Sequence, residues 1–341
     1  MSKKTGVAIF GLGRAGSIHI MNCIKNFRIQ VVWLIDVDLD HCKEIINKYC
    51  LDGTRCCTPN ETQLVFDDEN VSAVLICSPT FTHENLVKTA LENGKAVFCE
   101  KPISKSLQAT KECYDLSEKS KLPLFCSFNR RFDPSISSIQ EQIRQDNLGK
   151  LYTIRTCSRD CPLPSMDYLK SSGGFFHDCA VHDIDMICWI LNEYPKSVFA
   201  VATAHDSRIR EMNDWDTAVI TLKFDSGVIG VIEISRFSEF GYDQRLEIHG
   251  KTGMLTSNFQ FQDSTESFTK SGKLSTPLKW SFNSRYAESY VNALETFIDA
   301  VRTGKTLEIC KRSTVRVSEI ADACEESIKL SQLVEIHYSE D

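Results

Sequence analysis

The chain has 341 residues, of which 42% are apolar and 25% charged, a balance that is ordinary for a folded, water-soluble protein. Its net charge of −7 is spread along the sequence without a long basic block, which argues against nucleic-acid binding. Its apolar runs fall far short of the roughly 20 residues that a membrane span needs, and its length favours two domains.

The cellular location is predicted from the first residues and from the cysteines. The N-terminal residues lead directly into a strand-like segment, without the apolar core and cleavage site of a signal peptide. We therefore expect a cytoplasmic protein with no membrane partner, whose fifteen cysteines stay reduced and act mainly as small hydrophobes. No pair of cysteines has a second pair at zinc-like spacing, so we expect no metal site.

Strand-like and helix-like segments alternate through the first part of the chain. Strands are predicted at residues 7–10, 31–35, 71–77, 96–99 and 124–128, and helices at residues 15–26, 39–49, 82–93 and 106–119. Strict alternation implies a parallel, right-handed, doubly wound sheet. We assign residues 1–128 to a Rossmann domain of the α/β class.

The pattern changes after residue 128. Helices are predicted at residues 133–146, 174–191, 286–302 and 313–330, and strands at residues 151–159, 198–204, 217–224, 228–235, 245–249 and 254–257. The short turns between the strands indicate an open, mainly antiparallel sheet. The apolar residues of the segment 263–276 follow neither the helical nor the strand period, so this segment is predicted as a loop or ragged edge. We assign residues 129–341 to an α+β domain for substrate binding and oligomerisation, whose last helix is free to pack back on the first domain.

A glycine-rich loop follows the first predicted strand. Gly11 permits a tight turn, Gly13 lets the backbone approach a pyrophosphate, and Gly16 permits close packing of the next helix. Asp36 lies 20 residues beyond Gly16, at the end of the second strand, where a carboxylate accepts hydrogen bonds from ribose hydroxyls. The next residue is Val37 rather than an arginine, so NAD is favoured over NADP. The alternative is a glycine loop that serves only as a turn.

Lys101 follows the strand at residues 96–99. An ammonium at the carboxyl end of a parallel strand lies close to the crevice where such sheets bind ligands, and partial burial makes its pKa easy to tune. The loop after the fourth strand contains His83 near a predicted helix start. A histidine at that position is more often structural than catalytic.

Asp178 and His182 lie four residues apart in a predicted helix, and Asp185 follows three residues later. At that spacing the three side chains share one helix face. A carboxylate one turn from an imidazole orients the ring and increases its basicity, as a general base requires. The alternatives are a buried histidine with structural partners and an aspartate that caps the helix.

These motifs together resemble one family. They are residues 11–16, the loop with Pro79, Thr80 and His83, the string Glu100-Lys101-Pro102, and the pair Gly173-Gly174 followed by Asp178 and His182. In order and spacing they resemble the Gfo/Idh/MocA oxidoreductases over essentially the whole chain. The strings at residues 127–133, 158–160, 182–186 and 241–245 are most similar to the inositol 2-dehydrogenases within that family.

The resemblance implies a catalytic set of Lys101, Asp178 and His182. His182, oriented by Asp178, would take the proton of a ring hydroxyl while Lys101 stabilises the developing alkoxide. It implies a substrate site formed by Lys101, His182, Asp185, Arg131 and Tyr242. It implies a cofactor site formed by Gly11, Gly13, Arg14, Ala15, Gly16, Asp36, Ser78, Pro79, Thr80, His83 and Glu100. The family also suggests a cis peptide bond between Lys101 and Pro102.

The expected activity is the NAD-dependent oxidation of a ring hydroxyl of a cyclic polyol, with myo-inositol to 2-keto-myo-inositol as the leading reaction. Two alternatives remain open. One is a dehydrogenase or reductase of the same family that acts on another sugar, scyllo-inositol or a dihydrodiol. The other is a dinucleotide-binding regulator without catalysis. The resemblance and the exposed face of the second sheet favour a homodimer or homotetramer.

Overall fold

The computed structural model describes residues 4–340, and the chain divides into two compact units. The first unit runs to Asn129 and also includes Tyr290–Val315. The second unit is formed by Arg130–Ser289 and by the chain from Arg316 onward.

Residues 4–340 form strands and α-helices with the following bounds. The strands are β1 (Thr5–Phe10), β2 (Ile29–Ile35), β3 (Arg55–Cys57), β4 (Ala73–Ile76), β5 (Ala96–Cys99), β6 (Leu124–Cys126), β7 (Leu151–Arg159), β8 (Ser197–Thr203), β9 (Thr217–Lys223), β10 (Ile229–Ser235), β11 (Asp243–Gly250), β12 (Gly253–Ser257), β13 (Glu266–Thr269), β14 (Gly272–Ser275) and β15 (Val334–Glu335). The helices are α1 (Arg14–Lys25), α2 (Leu39–Lys48), α3 (Gln63–Phe66), α4 (His83–Glu92), α5 (Leu107–Ser120), α6 (Pro134–Arg144), α7 (Met166–Ser171), α8 (Val181–Leu191), α9 (Ser207–Glu211), α10 (Phe282–Arg285), α11 (Ala287–Thr303) and α12 (Lys311–Leu330).

The first unit contains a six-stranded parallel sheet in the order β3-β2-β1-β4-β5-β6. Strands β1 and β4 are buried at every position, which is typical of parallel strands that helices cover on both faces. Side-chain caps define helix starts: Ser106 Oγ accepts a hydrogen bond from the backbone N–H of Ala109 at the start of α5. The predicted Rossmann architecture is confirmed.

Aromatic packing explains why a late segment of the chain belongs to the first unit. The ring of Phe98 on β5 stacks on Phe125 of β6 with centroids 4.7 Å apart, and Phe297 of α11 lies 5.6 Å from Phe98. All three side chains are almost fully buried. Helix α11 therefore completes the core beside β5 and β6.

The second unit contains a seven-stranded sheet in the order β12-β11-β7-β10-β9-β8-β15. Strands β7 and β10 pair in parallel, whereas the pairs β12–β11, β11–β7, β10–β9, β9–β8 and β8–β15 are antiparallel. The regular alternation of buried and exposed residues along β9 shows that one face of the strand packs against a core and the other does not. The prediction of an open, mainly antiparallel sheet is confirmed.

Two local predictions differ from the structure. Residues 263–276, predicted as a loop or ragged edge, contain the hairpin β13–β14, in which every residue is exposed. The single helix predicted at residues 174–191 instead begins as a π-helical turn, Phe176–Ala180, which continues into α8. None of the helices among residues 4–340 is long and apolar enough to cross a membrane.

Candidate active site

Four parallel strands of the first unit end at one edge of the sheet, in register. Phe10 pairs with Ile35 and with Ile76, and Ile76 pairs with Cys99. The residues that follow these strand ends are Gly11, Asp36, Cys77 and Glu100. The strand order reverses between β1 and β4, and doubly wound sheets bind ligands at such a switch point.

The glycine loop closely approaches its surroundings at two positions and is open at a third. Gly11 has a φ of 85°, and a Cβ there would lie 2.7 Å from Ser78 Cα. A Cβ on Gly16 would lie 2.0 Å from the Gly11 carbonyl oxygen, whereas one on Gly13 would have no atom within 4 Å. The open side of the loop thus leaves room for an anion at the N-terminus of α1. The remaining loop residues of the predicted cofactor site, Arg14 and Ala15, form the first turn of α1.

Asp36 is held beside this loop by two backbone donors. The N–H of Leu12 donates to Asp36 Oδ2 at 2.7 Å, and the N–H of Asp38 donates to Oδ1 at 3.1 Å. The next residue, Val37, is 83% exposed. A fixed carboxylate, an open glycine loop and a helix N-terminus together fit a dinucleotide whose ribose hydroxyls donate to Asp36.

We expect Asp36→Ala to weaken NAD binding roughly 10- to 100-fold, because a hydrogen bond to a charged group contributes about 1.5–3 kcal/mol. The preference for NAD over NADP should fall as well, since the carboxylate that repels a 2′-phosphate is removed. Fluorescence titration with both cofactors measures the two affinities. Asp40→Ala is the matched control because Asp40 is exposed and its side chain pairs with Lys43 on α2. Equal NAD affinity in the wild type and Asp36→Ala would contradict this role.

The loop after β4 is tied to the segment after β5. The Oγ atoms of Ser78 and Thr82 lie 2.7 Å apart. His83, which is 1% exposed, places Nε2 2.8 Å from the Ser78 carbonyl oxygen and Nδ1 2.7 Å from the Pro102 carbonyl oxygen. Pro79 follows Ser78 and immediately precedes the short 3-10 turn Thr80–Thr82. Direct contact of these residues with a cofactor stays a prediction.

Lys101 lies immediately after β5 and is half-buried. The peptide bond between Lys101 and Pro102 is cis, as the family resemblance suggests. The residue before it, Glu100, places Oε1 2.7 Å from Nε2 of His19, a fully buried side chain of α1. Both neighbours of Lys101 in the chain are therefore held by histidines.

Asp178 and His182 lie on the segment that leads from the π-helical turn into α8. Asp178 Oδ1 accepts a hydrogen bond from the hydroxyl of Tyr168 at 2.8 Å, and its Oδ2 lies 3.0 Å from Arg236 Nη1. A π-helical turn closes i→i+5 hydrogen bonds and is often found at functional sites. Asp178 lies in this π-helical turn, so the α-helical spacing of four residues predicted from the sequence between Asp178 and His182 does not hold. His182 is half-buried and lies in the first turn of α8.

Arg236 links two carboxylates inside the second unit. Its side chain is fully buried, with Nη1 3.0 Å from Asp178 Oδ2 and Nη2 3.0 Å from Asp214 Oδ2. The Asp214 Oδ1 atom in turn accepts a hydrogen bond from the N–H of Phe175 at 2.9 Å. This network fixes the Asp178 carboxylate from the side of β10 and the loop before β9.

We expect Arg236→Met to lower the free energy of unfolding by about 3–5 kcal/mol, because it leaves the buried Asp178 carboxylate and the partly buried Asp214 carboxylate without their cation. Arg155→Met is the control, since Arg155 pairs with Glu233 at the surface and is 55% exposed. Loss of this surface ion pair should lower the free energy of unfolding by about 1 kcal/mol or less. Urea unfolding of the variants measures the difference. Equal midpoints for the two variants would show that the Arg236 network does not stabilise the fold.

Arg131 and Asp185, both predicted to hold distal hydroxyls of the substrate, are brought together in the second unit. Arg131 Nε donates to Asp185 Oδ2 at 2.9 Å, and its Nη2 pairs with the other carboxylate oxygen. Both side chains are buried. Burial raises the pKa of Asp185, and the Arg131 guanidinium opposes that rise. Whether either side chain contacts substrate stays a prediction.

A second buried ion pair lies beside the first, and sequence reasoning missed it. Arg130 Nη1 lies 3.0 Å from Asp183 Oδ1, and Ser158 Oγ lies 2.7 Å from the same oxygen. Ser158 Oγ also lies 3.0 Å from Gln244 Oε1. The only available signal was that each of these residues falls within or beside a string similar to the inositol 2-dehydrogenases. Together they support the segment that carries Arg131 and Asp185.

Tyr242, the remaining predicted substrate contact, is 8% exposed and its ring meets that of Tyr286 edge to face, with centroids 6.1 Å apart. Burial raises the pKa of Tyr242 well above its usual range, so its hydroxyl stays protonated. Arg285, which precedes Tyr286, pairs with Asp133 at 2.6 Å and is 4% exposed. Tyr242 as a direct substrate ligand stays a prediction.

The cysteines behave as apolar groups. All fifteen are free thiols, and most are buried. Burial raises the pKa of Cys23 to about 12 and that of Cys57 to about 11, which keeps these thiols protonated. Among residues 4–340, no three His, Cys, Asp or Glu side chains form a group that could hold a metal ion.

Comparison with known proteins identifies the family of both units. Residues 5–128 match the model of the oxidoreductase family with an NAD-binding Rossmann fold, and residues 136–256 match the GFO/IDH/MocA C-terminal domain. The two matches follow the order of the chain and together cover most of it.

Relatives of known name extend along almost the whole chain. The chain is 36% identical to myo-inositol 2-dehydrogenase of Thermotoga maritima, over 88% of this chain and 89% of the relative. It is 33% identical to inositol 2-dehydrogenase of Rhizobium meliloti, over 96% of this chain and 98% of the relative. The crystal structure of a myo-inositol dehydrogenase from Corynebacterium glutamicum superposes with a TM-score of 0.91 at 29% identity, over 98% of this chain and all of that chain. The chain therefore belongs to the Gfo/Idh/MocA oxidoreductases and is an NAD-dependent oxidoreductase.

Proposed function

We propose that this enzyme oxidises one ring hydroxyl of a cyclic polyol with NAD, and that its substrate is myo-inositol, converted into 2-keto-myo-inositol. The observation that carries the proposal is the similarity to inositol 2-dehydrogenases at 33–36% identity over most of the chain. Lys101, Asp178 and His182 of the family pattern are all present.

We assign cofactor binding to residues 1–128 and substrate binding mainly to residues 129–341. The glycine loop would hold the pyrophosphate and Asp36 the adenosine ribose, while residues 78–80, His83 and Glu100 would line the nicotinamide end. Bound NAD supplies the hydride acceptor. The support for this assignment is that the loops after β1, β2, β4 and β5 meet at one edge of the sheet.

Lys101 is proposed to stabilise negative charge on the reacting oxygen. As a hydroxyl loses its proton and its carbon loses a hydride, the oxygen passes through alkoxide character before it becomes a carbonyl oxygen. A positioned ammonium donates a hydrogen bond to that oxygen and acts most strongly where charge develops. The half-buried position after β5 suits this role because partial exclusion of water strengthens the interaction.

His182 is proposed as the general base that takes the hydroxyl proton. Asp178 is proposed as the residue that orients its ring. The Asp178 carboxylate is held by the Tyr168 hydroxyl and by Arg236, so it is fixed before substrate binds. Arg131, Asp185 and Tyr242 are proposed to position the other hydroxyls of the ring, with Arg131 and Asp185 acting as a pre-oriented pair.

We also propose a cytoplasmic homo-oligomer, a dimer or tetramer, in which a second copy of the chain covers an exposed part of the second sheet. Val201 of β8 is 59% exposed and pairs across the strands with Val219 of β9, which is 47% exposed. Phe199, two residues before Val201, is 38% exposed on the same face. Light scattering of the wild type and of Val201→Lys tests this proposal: a wild-type monomer, or an unchanged oligomer in the variant, would contradict it.

The proposed reaction is tested with a panel of inositols, pyranoses and diols, each with NAD and with NADP, followed at the absorbance of the reduced cofactor. We expect the highest kcat/KM with myo-inositol and NAD. Preference for another sugar, scyllo-inositol or a dihydrodiol would keep the chemistry and change the substrate. Cofactor binding without turnover on any cyclic polyol would contradict the enzyme proposal and favour a dinucleotide-binding regulator.

A further inference from the structure

Two buried histidines hold the residues on either side of Lys101. His19 of α1 contacts the Glu100 carboxylate, and His83 at the start of α4 contacts the Pro102 carbonyl oxygen. The two rings come from different helices of the same unit, and neither is exposed by more than 1%. The lysine is thus the middle residue of a tripeptide that is anchored at both ends.

The hydrogen-bond partners of the His83 ring are two carbonyl oxygens. Its Nδ1 lies 2.7 Å from the Pro102 carbonyl oxygen and its Nε2 lies 2.8 Å from the Ser78 carbonyl oxygen. A carbonyl oxygen accepts hydrogen bonds and never donates them, and a neutral imidazole carries one N–H. In either neutral tautomer one ring lone pair would face a carbonyl lone pair at hydrogen-bond distance. Only the imidazolium donates to both oxygens.

Two features of the site oppose this cation. The side chain is buried, and His83 is the first residue of α4, where the helix dipole disfavours positive charge. Two charge-assisted hydrogen bonds to carbonyl oxygens offset these costs. The charged residues nearest in the chain are Glu84, which follows His83, and Lys101, which precedes Pro102. The two hydrogen bonds connect the loop after β4 to the segment after β5.

The hydrogen-bond partners of the His19 ring differ from those of His83. Its Nε2 lies 2.7 Å from Glu100 Oε1, so this nitrogen carries the hydrogen. Its Nδ1 is buried and has no hydrogen-bond partner among residues 4–340. The ring is enclosed by Phe98 and Tyr290, with centroids at 4.8 and 5.6 Å. A second N–H would be a buried donor without an acceptor, which favours a ring with its single N–H on Nε2.

We propose that His19 and His83 are positioning residues for Lys101, with His19 acting as a neutral donor to Glu100 and His83 as an imidazolium that joins the Ser78 and Pro102 carbonyls. The inference rests on the proposed function of Lys101. The imidazolium also ties the predicted nicotinamide loop at residues 78–80 to the segment that carries Lys101. Any movement of that loop is then transmitted to the lysine.

The protonation states are tested by NMR on the intact protein with 15N-labelled histidine, without substrate. We expect the two ring nitrogens of His83 to appear as N–H groups at neutral pH, and the His19 ring to show one N–H, on Nε2. The signals that disappear in His83→Gln are assigned to His83, and those that disappear in His19→Gln are assigned to His19. A neutral His83 ring would overturn the proposal, and this result does not depend on whether the enzyme turns over any polyol.

The positioning role is tested by combining variants. His83→Gln keeps a donor for one carbonyl only, and we expect kcat to fall roughly 10- to 100-fold, as misplacement of a catalytic group by about 1 Å does. His19→Leu should also lower kcat, whereas His19→Gln should restore much of it because its amide can donate to Glu100. His41→Gln is the control, since the His41 side chain is 43% exposed on α2, and it should retain the wild-type rate.

The combination with Lys101→Met separates positioning from general stability. If the histidines act through the lysine, His83→Gln and His19→Leu should cost little further activity once the lysine side chain is gone, because the effects of residues that act together are not additive. The same fold-loss in both backgrounds would overturn the proposal. So would a wild-type kcat for His83→Gln and His19→Leu.

Discussion

Replacement of Lys101 by methionine is expected to lower kcat by about 10²–10³-fold, the typical cost of removing one donor to a developing oxyanion. Methionine keeps the length and apolar stem of the side chain and removes only the ammonium. Binding of NAD should be nearly unchanged, because the predicted phosphate and ribose contacts come from the loops after β1 and β2. Steady-state rates with the best polyol, together with NAD titration, measure the two effects separately.

Lys105→Met is the matched control for this experiment. Lys105 lies on the same segment after β5 but is exposed, so its replacement should leave kcat and NAD affinity unchanged. A wild-type kcat for Lys101→Met would show that the lysine does not act on the reacting oxygen. A loss of NAD affinity with kcat retained would assign it to the cofactor instead.

Replacement of His182 by asparagine is expected to lower kcat by about 10²–10⁴-fold at neutral pH, the range for removal of a general base. Asparagine retains polarity and similar size but cannot take a proton. The deficit should shrink as the pH rises, because hydroxide from the solvent can then remove the hydroxyl proton. A pH profile of kcat for the wild type and the variant provides the measurement.

His205→Asn is the control for His182, because His205 is exposed on the loop after β8. It should show the wild-type profile. If His182→Asn lost activity by the same factor at every pH, the histidine would serve in binding or folding rather than as the base. If it retained the wild-type rate at neutral pH, another group would have to take the proton.

The alternation of apolar segments in the first 128 residues was sufficient to predict the Rossmann sheet. Its strands are buried on both faces and read as continuous apolar runs, for example Ala96–Cys99, whose bounds were predicted without error. The short strand Arg55–Cys57 was missed because three residues, one of them exposed, carry too little pattern. The hairpin β13–β14 was missed for a related reason. Every residue of its two strands is exposed, so no alternation of buried apolar and exposed polar residues marks it in the sequence.

Individual site residues could be predicted where the backbone alone positions them. The side chains with which they form hydrogen bonds and ion pairs could not be predicted. Glycine spacing and a strand end were enough to predict that Gly11 and Asp36 lie together, because parallel strands bring their carboxyl ends to one edge. No local pattern connects Asp178 to Arg236, which is 58 residues away. The π-helical turn before α8 is likewise set by tertiary contacts, since Phe175 and Asp178 bind Asp214 and Arg236.

The ion pairs of the second unit illustrate the same limit. Arg131 and Asp185 were both predicted to contact substrate, because their positions match family strings and not because of any expected pairing. In the structure they bind each other, and Arg130 and Asp183 form a parallel pair beside them. A buried charge requires a partner, but the sequence does not show which of several carboxylates supplies it.

The transfer of hydrogen from the ring carbon to NAD is the central claim, and isotope transfer tests it most directly. The wild-type enzyme is incubated with NAD and with myo-inositol deuterated at the carbon that carries the reacting hydroxyl, and the reduced cofactor is analysed by mass spectrometry. We predict one deuterium in each reduced cofactor molecule, formed in equal amount with the keto product, and a strongly decreased yield with Lys101→Met. Reduced cofactor without deuterium, or none above the enzyme-free control, would contradict the account.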